Sequence, residues 1–176
     1  MRHHIHNIFT LLSVLVLCGI SVLGVAPYST PAFADIQQIE EAPHQILYQS
    51  RYTLHDQHGD RWQVIAFKRI RPDGNTNVYL RLVGFPGISE IEHPQPITLT
   101  TSLGQSFTAA DASSKIFTDE LTPASNVGQY DMQAIVTQLS EVVPLQITLP
   151  LLNKDDSIFS ISPTMIQEWK TIAACQ

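Results

Sequence analysis

Cysteine is scarce in this chain of 176 residues, which contains only Cys18 and Cys175. Two thiols cannot build a disulfide scaffold or a four-thiolate zinc site. Charged residues are also few, at 15% of the chain, and 16 acidic residues outnumber 10 basic ones. This balance argues against general nucleic-acid binding, which requires a positive field. With 44% hydrophobic residues, the composition also excludes a disordered chain.

Catalytic sequence motifs are missing as well. The chain has no Gly-x-Ser-x-Gly elbow, no His-Glu-x-x-His motif and no glycine loop that would cradle a phosphate. The sequence therefore favours a non-enzymatic protein without a cofactor. A hydrolase or metal enzyme with dispersed residues stays an alternative, because a spatial triad leaves little trace in one sequence. A cleft that holds His44, His55, His58 or His93 beside a carboxylate would support it.

The N-terminus has the three parts of a secretory signal peptide. Arg2 gives a positive start, residues 8–26 carry no charge, and Ala32 and Ala34 form a small-residue cleavage site. We expect residues 1–34 to be removed, which leaves a net charge of −7 because Arg2 is lost. The rival interpretation is an uncleaved anchor, since the uncharged run has roughly the length that spans a bilayer.

Residues 35–45 are polar and read as an N-terminal arm, and residues 46–176 read as one β-rich domain. Alternating β-branched and aromatic residues predict strands. The predicted strands are 46–54, 61–70, 78–83, 97–101, 106–108, 145–149 and 157–161. Helices are predicted at 130–139, from apolar spacing, and from Pro163 to about Ala173, after a Ser162 cap. This order predicts a mainly β (α+β) fold, an antiparallel sandwich or part-barrel of about seven strands with two late helices.

The first two predicted strands form a hairpin. Gly59 can take the left-handed position of a short loop between Asp56 and Asp60. That loop places Leu54 opposite Trp62 and Tyr52 opposite Val64, so that apolar side chains meet on one face. The second strand is apolar on both faces, and we expect both to be covered, with the terminal helix as a candidate cover.

The same register gathers a candidate binding patch on the opposite sheet face. Its residues are Arg51, Arg69, Tyr79 and Arg81, with Phe85 in the loop that follows. Guanidinium groups beside aromatic rings can bind a carboxylate or a phosphate, or stack on a partner's rings. The simpler alternative is that the arginine stems cover apolar surface while their charged ends reach water.

A second, weaker cluster lies at the hairpin tip. His55, Asp56, His58 and Asp60 offer imidazole and carboxylate groups that could hold Zn²⁺ or Cu²⁺. Their spacing matches no metal motif and nothing in the sequence supplies supporting groups. A plain polar turn is therefore the favoured interpretation.

Several motifs together resemble a known family. They are Arg61-Trp62-Gln63-Val64, residues 67–72, residues 80–87, His93-Pro94-Gln95-Pro96, residues 126–131 and Gln167-Glu168-Trp169. As a set they resemble a cyanobacterial family of small exported proteins of unknown function, the domain-of-unknown-function 3122 family. The resemblance implies a host with thylakoids and no assigned catalytic residues. It implies export to the periplasm or the thylakoid lumen.

The expected function is that of an exported binding or assembly factor. We expect a protein partner, which includes the possibility of a membrane complex, with no nucleic acid and no membrane span after cleavage. A carrier of a small apolar ligand, with a pocket enclosed by the sheet, is a further alternative.

Overall fold

The computed structural model describes residues 36–116, 123–152 and 154–176. The predicted signal peptide at 1–34 and its cleavage site therefore lie outside the described residues. The strands are β1 (Gln37–Ala42), β2 (Gln45–His55), β3 (Arg61–Ile70), β4 (Thr76–Val83), β5 (Ile97–Thr101), β6 (Ser106–Ala109), β7 (Val127–Asp131), β8 (Leu145–Leu149) and β9 (Ser157–Ile161). The described residues contain one α-helix, α1 (Pro163–Ala174), which ends two residues before the C-terminal Gln176. Two 3₁₀ helices cover Ser113–Lys115 and Val136–Gln138.

The strands form two antiparallel sheets. The order is β1-β2-β3-β4-β7 in the five-stranded sheet and β6-β5-β8-β9 in the four-stranded sheet. Buried side chains from both sheets and from α1 form one apolar cluster that includes Val64, Leu80, Ile147 and Ile166. The predicted mainly β class is confirmed, in its sandwich form, with nine strands in the described residues.

The predicted β2–β3 hairpin is confirmed in register. Leu54 pairs with Trp62 and Tyr52 pairs with Val64. Gly59 has a φ of 86°, and its amide donates to the Asp56 carbonyl at 3.0 Å. The alternation of apolar residues was sufficient to fix this pairing because a slip by one residue would turn the buried face to solvent.

Residues 35–45, expected to be an N-terminal arm, contain strand β1. It pairs with β2, with Ile39 opposite Leu47, and all six of its residues are exposed. No apolar alternation marks this strand because neither of its faces is buried. Its pairing is supported instead by backbone hydrogen bonds to β2 and by an ion pair described below.

The helix predicted at 130–139 is wrong. Val127–Asp131 forms β7, which pairs with β4 and places Tyr130 opposite Leu80. Only Val136–Gln138 is helical, as a single 3₁₀ turn. The edge of β4 offers unpaired backbone groups, and pairing with β7 satisfies them. That long-range gain overrides the local helical spacing.

The terminal helix is confirmed, and it covers one face of β3. The Ser162 hydroxyl caps it by accepting from the Met165 amide, and Pro163 is the first helical residue. At its other end Lys68 Nζ donates to the carbonyls of Ala173 and Cys175, at 2.8 and 2.6 Å. No helix within the described residues is long and apolar enough to cross a membrane.

The other face of β3 is covered differently. Ile65 and Phe67 pack with Leu47, Tyr79 and Ala112 in a second, smaller apolar cluster. Ala112 comes from the segment before the first 3₁₀ helix, and so the terminal helix covers only one of the two faces. This second cluster forms the base of the candidate binding surface.

Candidate functional site

The outer face of the five-stranded sheet carries four of the five residues predicted to bind. We call this surface the arginine face and define it by Arg51, Arg69, Tyr79 and Arg81. Arg51 and Arg81 both pair with Ile65, from opposite sides, and therefore share one row across β2, β3 and β4. The register predicted for the hairpin, extended to β4, brings these guanidinium groups onto one surface.

Arg81 is the most constrained residue of the arginine face. Its guanidinium carbon lies 5.0 Å from the centre of the Phe67 ring, and its Nη2 donates to Gln129 at 2.7 Å. Its Nε is buried and has no hydrogen-bond partner. Burial lowers the pKa of Arg81, as do the positive charges of Arg69 and Arg51, while Glu41 opposes the change. An added carboxylate would relieve this repulsion and offer acceptors to the guanidinium.

Arg69 is already paired within the chain. Its Nε and Nη2 donate to the two carboxylate oxygens of Glu41, at 2.7 and 2.9 Å. The hydrogen bond from Arg69 is the main reason that the pKa of Glu41 is lowered, against the opposing effect of burial. This two-point contact joins β1 to β3, so Arg69 supports the face more than it offers a free charge.

Tyr79 also supports the face from below. Only 4% of it is exposed, and its ring packs at a tilt on Phe67 with 5.6 Å between ring centres. Tyr79 lies on the arginine face as predicted, but its ring is buried in the smaller apolar cluster. A partner that contacts this surface would meet Arg51 and Arg81 before Tyr79.

Phe85, the fifth predicted residue, lies beyond the end of β4 and is 64% exposed. It lines a groove of about 260 Å³ together with Thr53, Arg61, Gln63, Val83 and the edge of Trp62. We call this the Phe85 groove. Gln63 connects it to the arginine face, because its Oε1 lies 3.4 Å from Nη1 of Arg51.

Sequence reasoning missed Arg61 and Gln63 as parts of this surface. Both have odd numbers in β3, like Ile65, and side chains two residues apart point to the same face of a strand. The correct register therefore already contained the signal that would have added Arg61. Recognising the groove itself required the position of Phe85, which lies outside any strand.

Three of the four weak metal candidates at the hairpin tip, Asp56, His58 and Asp60, contact other groups. Oδ1 of Asp56 accepts from the amides of His58 and Asp60, each at 2.9 Å. Its Oδ2 accepts from Trp62 Nε1 at 3.2 Å and from the Ser157 hydroxyl at 2.7 Å. Asp60 pairs with Lys154 at 2.6 Å. Asp56 therefore connects the hairpin to β9.

His55 is exposed at the end of β2, and Nε2 of His58 lies 2.9 Å from the Gln57 amide nitrogen. Among the described residues, no group of three or more His, Cys, Asp or Glu side chains is placed to hold a metal ion.

A family model matches most of the chain. It covers residues 34–172 and describes a protein of unknown function, DUF3122. The chain belongs to this family. No curated protein and no solved structure gives a significant match. The match covers both the arginine face and the Phe85 groove, and it assigns no role to any residue in them.

One histidine lies beside a carboxylate, the arrangement that would support an enzyme. Nδ1 of His93 is 2.6 Å from Oδ2 of Asp111, at the edge of a groove of about 190 Å³ that Ser113 and Ser114 also line. Its other ring nitrogen, Nε2, is buried without a partner. The Ser113 hydroxyl accepts from the Gln129 amide instead of contacting the imidazole.

Nucleophilic catalysis needs a nucleophile within hydrogen-bond reach of the base and access of the substrate to both. In the described residues no serine hydroxyl contacts the pair His93–Asp111, and Nε2 is not exposed. The Ser113 amide donates to Asp111 Oδ1 at 2.7 Å, which is a backbone contact and supplies no nucleophile. The pair joins the loop after β4 to the segment before the first 3₁₀ helix. The buried Tyr130 pairs with Asp111 through an isolated backbone bridge. Burial, followed by the charge of Asp111, raises the pKa of the Tyr130 hydroxyl.

The apolar-carrier alternative receives no support from the space between β3, β4 and α1. Ala66, Val78, Leu80, Met132 and Trp169 are among the residues that line it, and it is too small to admit a water molecule. A carrier requires a cavity that encloses most of its ligand. The side chains of this family member fill that space instead.

Proposed function

We propose that this chain is an exported, non-enzymatic binding protein of the periplasm or the thylakoid lumen, and that its arginine face recognises an acidic segment of a protein partner. Arg51 and Arg81 bind carboxylates of that segment, and an apolar or aromatic side chain enters the Phe85 groove. A partner built into a membrane complex fits the same chemistry.

The observation that carries this proposal is the state of Arg81. A guanidinium that is held over Phe67 and lies near two further arginines is positioned to bind an anionic ligand. The chain as a whole is acidic, since 16 acidic residues oppose 10 basic ones. A local positive face on an acidic protein favours an acidic partner in one orientation.

The binding proposal predicts a loss of capture when the arginines are reversed. We expect Arg51→Glu, and Arg51→Glu combined with Arg81→Glu, to lower the recovery of co-purifying proteins by about tenfold or more, because like charges would then meet across the interface. The measurement is affinity capture of the tagged protein, expressed as the full chain in its native host, followed by quantitative mass spectrometry. Arg51 is exposed, so the single variant tests binding even if the double variant folds poorly.

Arg71→Glu is the matched control, because it makes the same charge change in the β3–β4 turn, at the opposite end of these strands from Phe85. It should retain the wild-type partners. Recovery of the same proteins by the Arg51→Glu variant and by the control would contradict the proposed role of the arginine face.

Export predicts a defined mature N-terminus. We expect the protein recovered from its host to begin at Asp35, because Ala32 and Ala34 present the small side chains that signal peptidases accept. N-terminal sequencing and the intact mass of the recovered protein measure this directly. A product that begins at Met1 and fractionates with membranes would support the uncleaved anchor instead.

A further inference from the structure

Two aliphatic side chains are almost fully exposed at one end of the four-stranded sheet. Leu103, in the β5–β6 turn, is 81% exposed, and Val142, in the loop before β8, is 83% exposed. We call these two residues the apolar tips. Their loops are neighbours, because the Ser102 amide donates to the Pro144 carbonyl at 3.1 Å. Exposed apolar residues mark an interaction site when they form one patch, and these neighbouring loops bring the two side chains to the same end of the sheet.

The surroundings of the apolar tips carry little net charge. Glu141 beside Val142 is paired with Lys170, with 2.9 Å between Oε1 and Nζ. The remaining residues of the two turns are uncharged, namely Ser102, Gly104, Gln105, Ser140, Val143 and Pro144. This neutrality contrasts with the net charge of −6 on the whole chain.

A polar groove opens beside the apolar tips. It has a volume of about 410 Å³ and is lined by uncharged hydroxyl and amide side chains that include Thr100, Ser102, Gln146 and Ser160. Thr100, Gln146 and Ser160 form one row across β5, β8 and β9 on the outer face of the sheet. Such groups donate and accept hydrogen bonds without favouring a charged ligand.

We propose that this end of the protein docks on a lipid bilayer with uncharged headgroups. The apolar tips enter the boundary between headgroups and acyl chains, and the groove lined by hydroxyl groups receives a headgroup. Insertion removes the two side chains from water, which is the driving force for shallow membrane binding. The neutral rim and the negative net charge together disfavour an anionic surface, which attracts basic segments.

This docking surface is independent of the proposed partner site. The apolar tips lie where β5 ends and β8 begins. The opposite end of that sheet carries the β8–β9 turn, where Ser157 contacts Asp56 of the hairpin. Docking by the tips therefore leaves the hairpin end directed away from the bilayer, and either function can fail without the other.

A tryptophan placed at one tip tests the proposal at the site itself. Both native tryptophans are 1% exposed, so Leu103→Trp adds the only tryptophan expected to respond strongly to the surroundings. With protein recovered after expression of the full chain, we expect vesicles of phosphatidylcholine to shift its emission to the blue and brominated lipids to quench it. Ile88→Trp, at a residue 52% exposed in the loop after β4, is the control and should not shift.

Removal of the tips should weaken binding to the same vesicles. We expect Leu103→Ser with Val142→Ser to lower the vesicle partition coefficient by about tenfold or more, as the loss of two inserted aliphatic groups implies. Ile88→Ser is the matched control and should bind like the wild type. Vesicles that contain a hexosyl diacylglycerol should bind at least as well, and those that contain phosphatidylserine should bind less.

An unshifted Leu103→Trp emission with neutral vesicles would overturn the proposal, and so would stronger binding to phosphatidylserine vesicles. A blue shift produced only by a protein fraction, and by no lipid vesicle, would also overturn it and would indicate a polypeptide partner at the tips. The Leu103→Trp readout is specific to the site, so it holds even if an N-terminal anchor binds the vesicle.

Discussion

Replacing Asp56 with alanine is expected to lower the free energy of unfolding by about 3 kcal/mol, because the carboxylate accepts four hydrogen bonds and two of its donors are buried. Trp62 Nε1 would lose its only acceptor, and the Ser157 hydroxyl would lose its bond to the hairpin. Each buried donor left without a partner costs roughly 1–3 kcal/mol, and relief from burying a carboxylate offsets part of the sum. Chemical denaturation followed by circular dichroism measures the change.

Asp60→Ala is the control for this prediction, because it changes the same residue type in the same loop. Asp60 makes a partly exposed ion pair with Lys154, and the loss of such a pair costs about 0–1 kcal/mol. Asp56→Asn distinguishes the effect of the lost hydrogen bonds from the effect of lost side-chain volume, because Asn has nearly the same volume as Asp. The amide can orient one oxygen to one pair of donors only, and Trp62 Nε1 cannot act as an acceptor in return. Equal stability of Asp56→Ala and Asp60→Ala would contradict the role given to Asp56.

The same carboxylate predicts how stability depends on pH. Burial by itself would raise the pKa of Asp56, but the hydrogen bonds from Ser157, Asp60, Trp62 and His58 together outweigh it and hold the pKa below its ordinary value. A lowered pKa in the folded state contributes stability above the unfolded pKa of about 3.9. That contribution is lost as the pH falls from about 4 through the folded pKa. Asp56→Asn should therefore lose less stability than the wild type over this range.

Most of the fold followed from local patterns. The alternation in β3 and the turn at Gly59 predicted the hairpin register, and that register placed Arg51 and Arg81 on one face. Strands such as β5, β8 and β9 were predicted with the bounds they have, since each has one buried face. A strand with one buried face needs apolar residues at alternate positions, so the alternation in the sequence predicts the strand and its bounds.

The errors arose where long-range pairing determines the structure. Strand β1 has no buried face, and its ion pair from Glu41 joins residues 28 positions apart. Because β1 was not recognised, Arg69 was counted as a free charge. Asp56 was treated as a weak metal ligand for the same reason, since its partner Ser157 lies 101 positions away. Local sequence patterns do not predict contacts between residues that are this far apart in the chain.

Gly84→Ala is the second large effect that the structure predicts, at about 2–3 kcal/mol of lost stability. A Cβ at this position would lie 2.8 and 2.9 Å from ring carbons of Trp62. The ring is 1% exposed and packs edge-on against Phe159, with 5.5 Å between ring centres, so it has little room to move. The backbone of Gly84 is also held, because its carbonyl accepts from Asn126 Nδ2 at 2.8 Å. Denaturation midpoints and slopes of the wild type and the variant measure the loss.

A double-mutant cycle with Trp62→Phe identifies the clash as the cause. The smaller ring lacks the atoms that a new Cβ would meet, so Gly84→Ala should cost about 1 kcal/mol or less in that background, and the two changes should be coupled by at least about 1 kcal/mol. Gly74→Ala is the control for backbone effects, because Gly74 has a φ of 79° and no atom within 4 Å of its Cβ position. It should cost about 1–2 kcal/mol in either background, as left-handed strain implies. If the cost of Gly84→Ala were also the same in both backgrounds, the close approach of Trp62 would not be what requires glycine here.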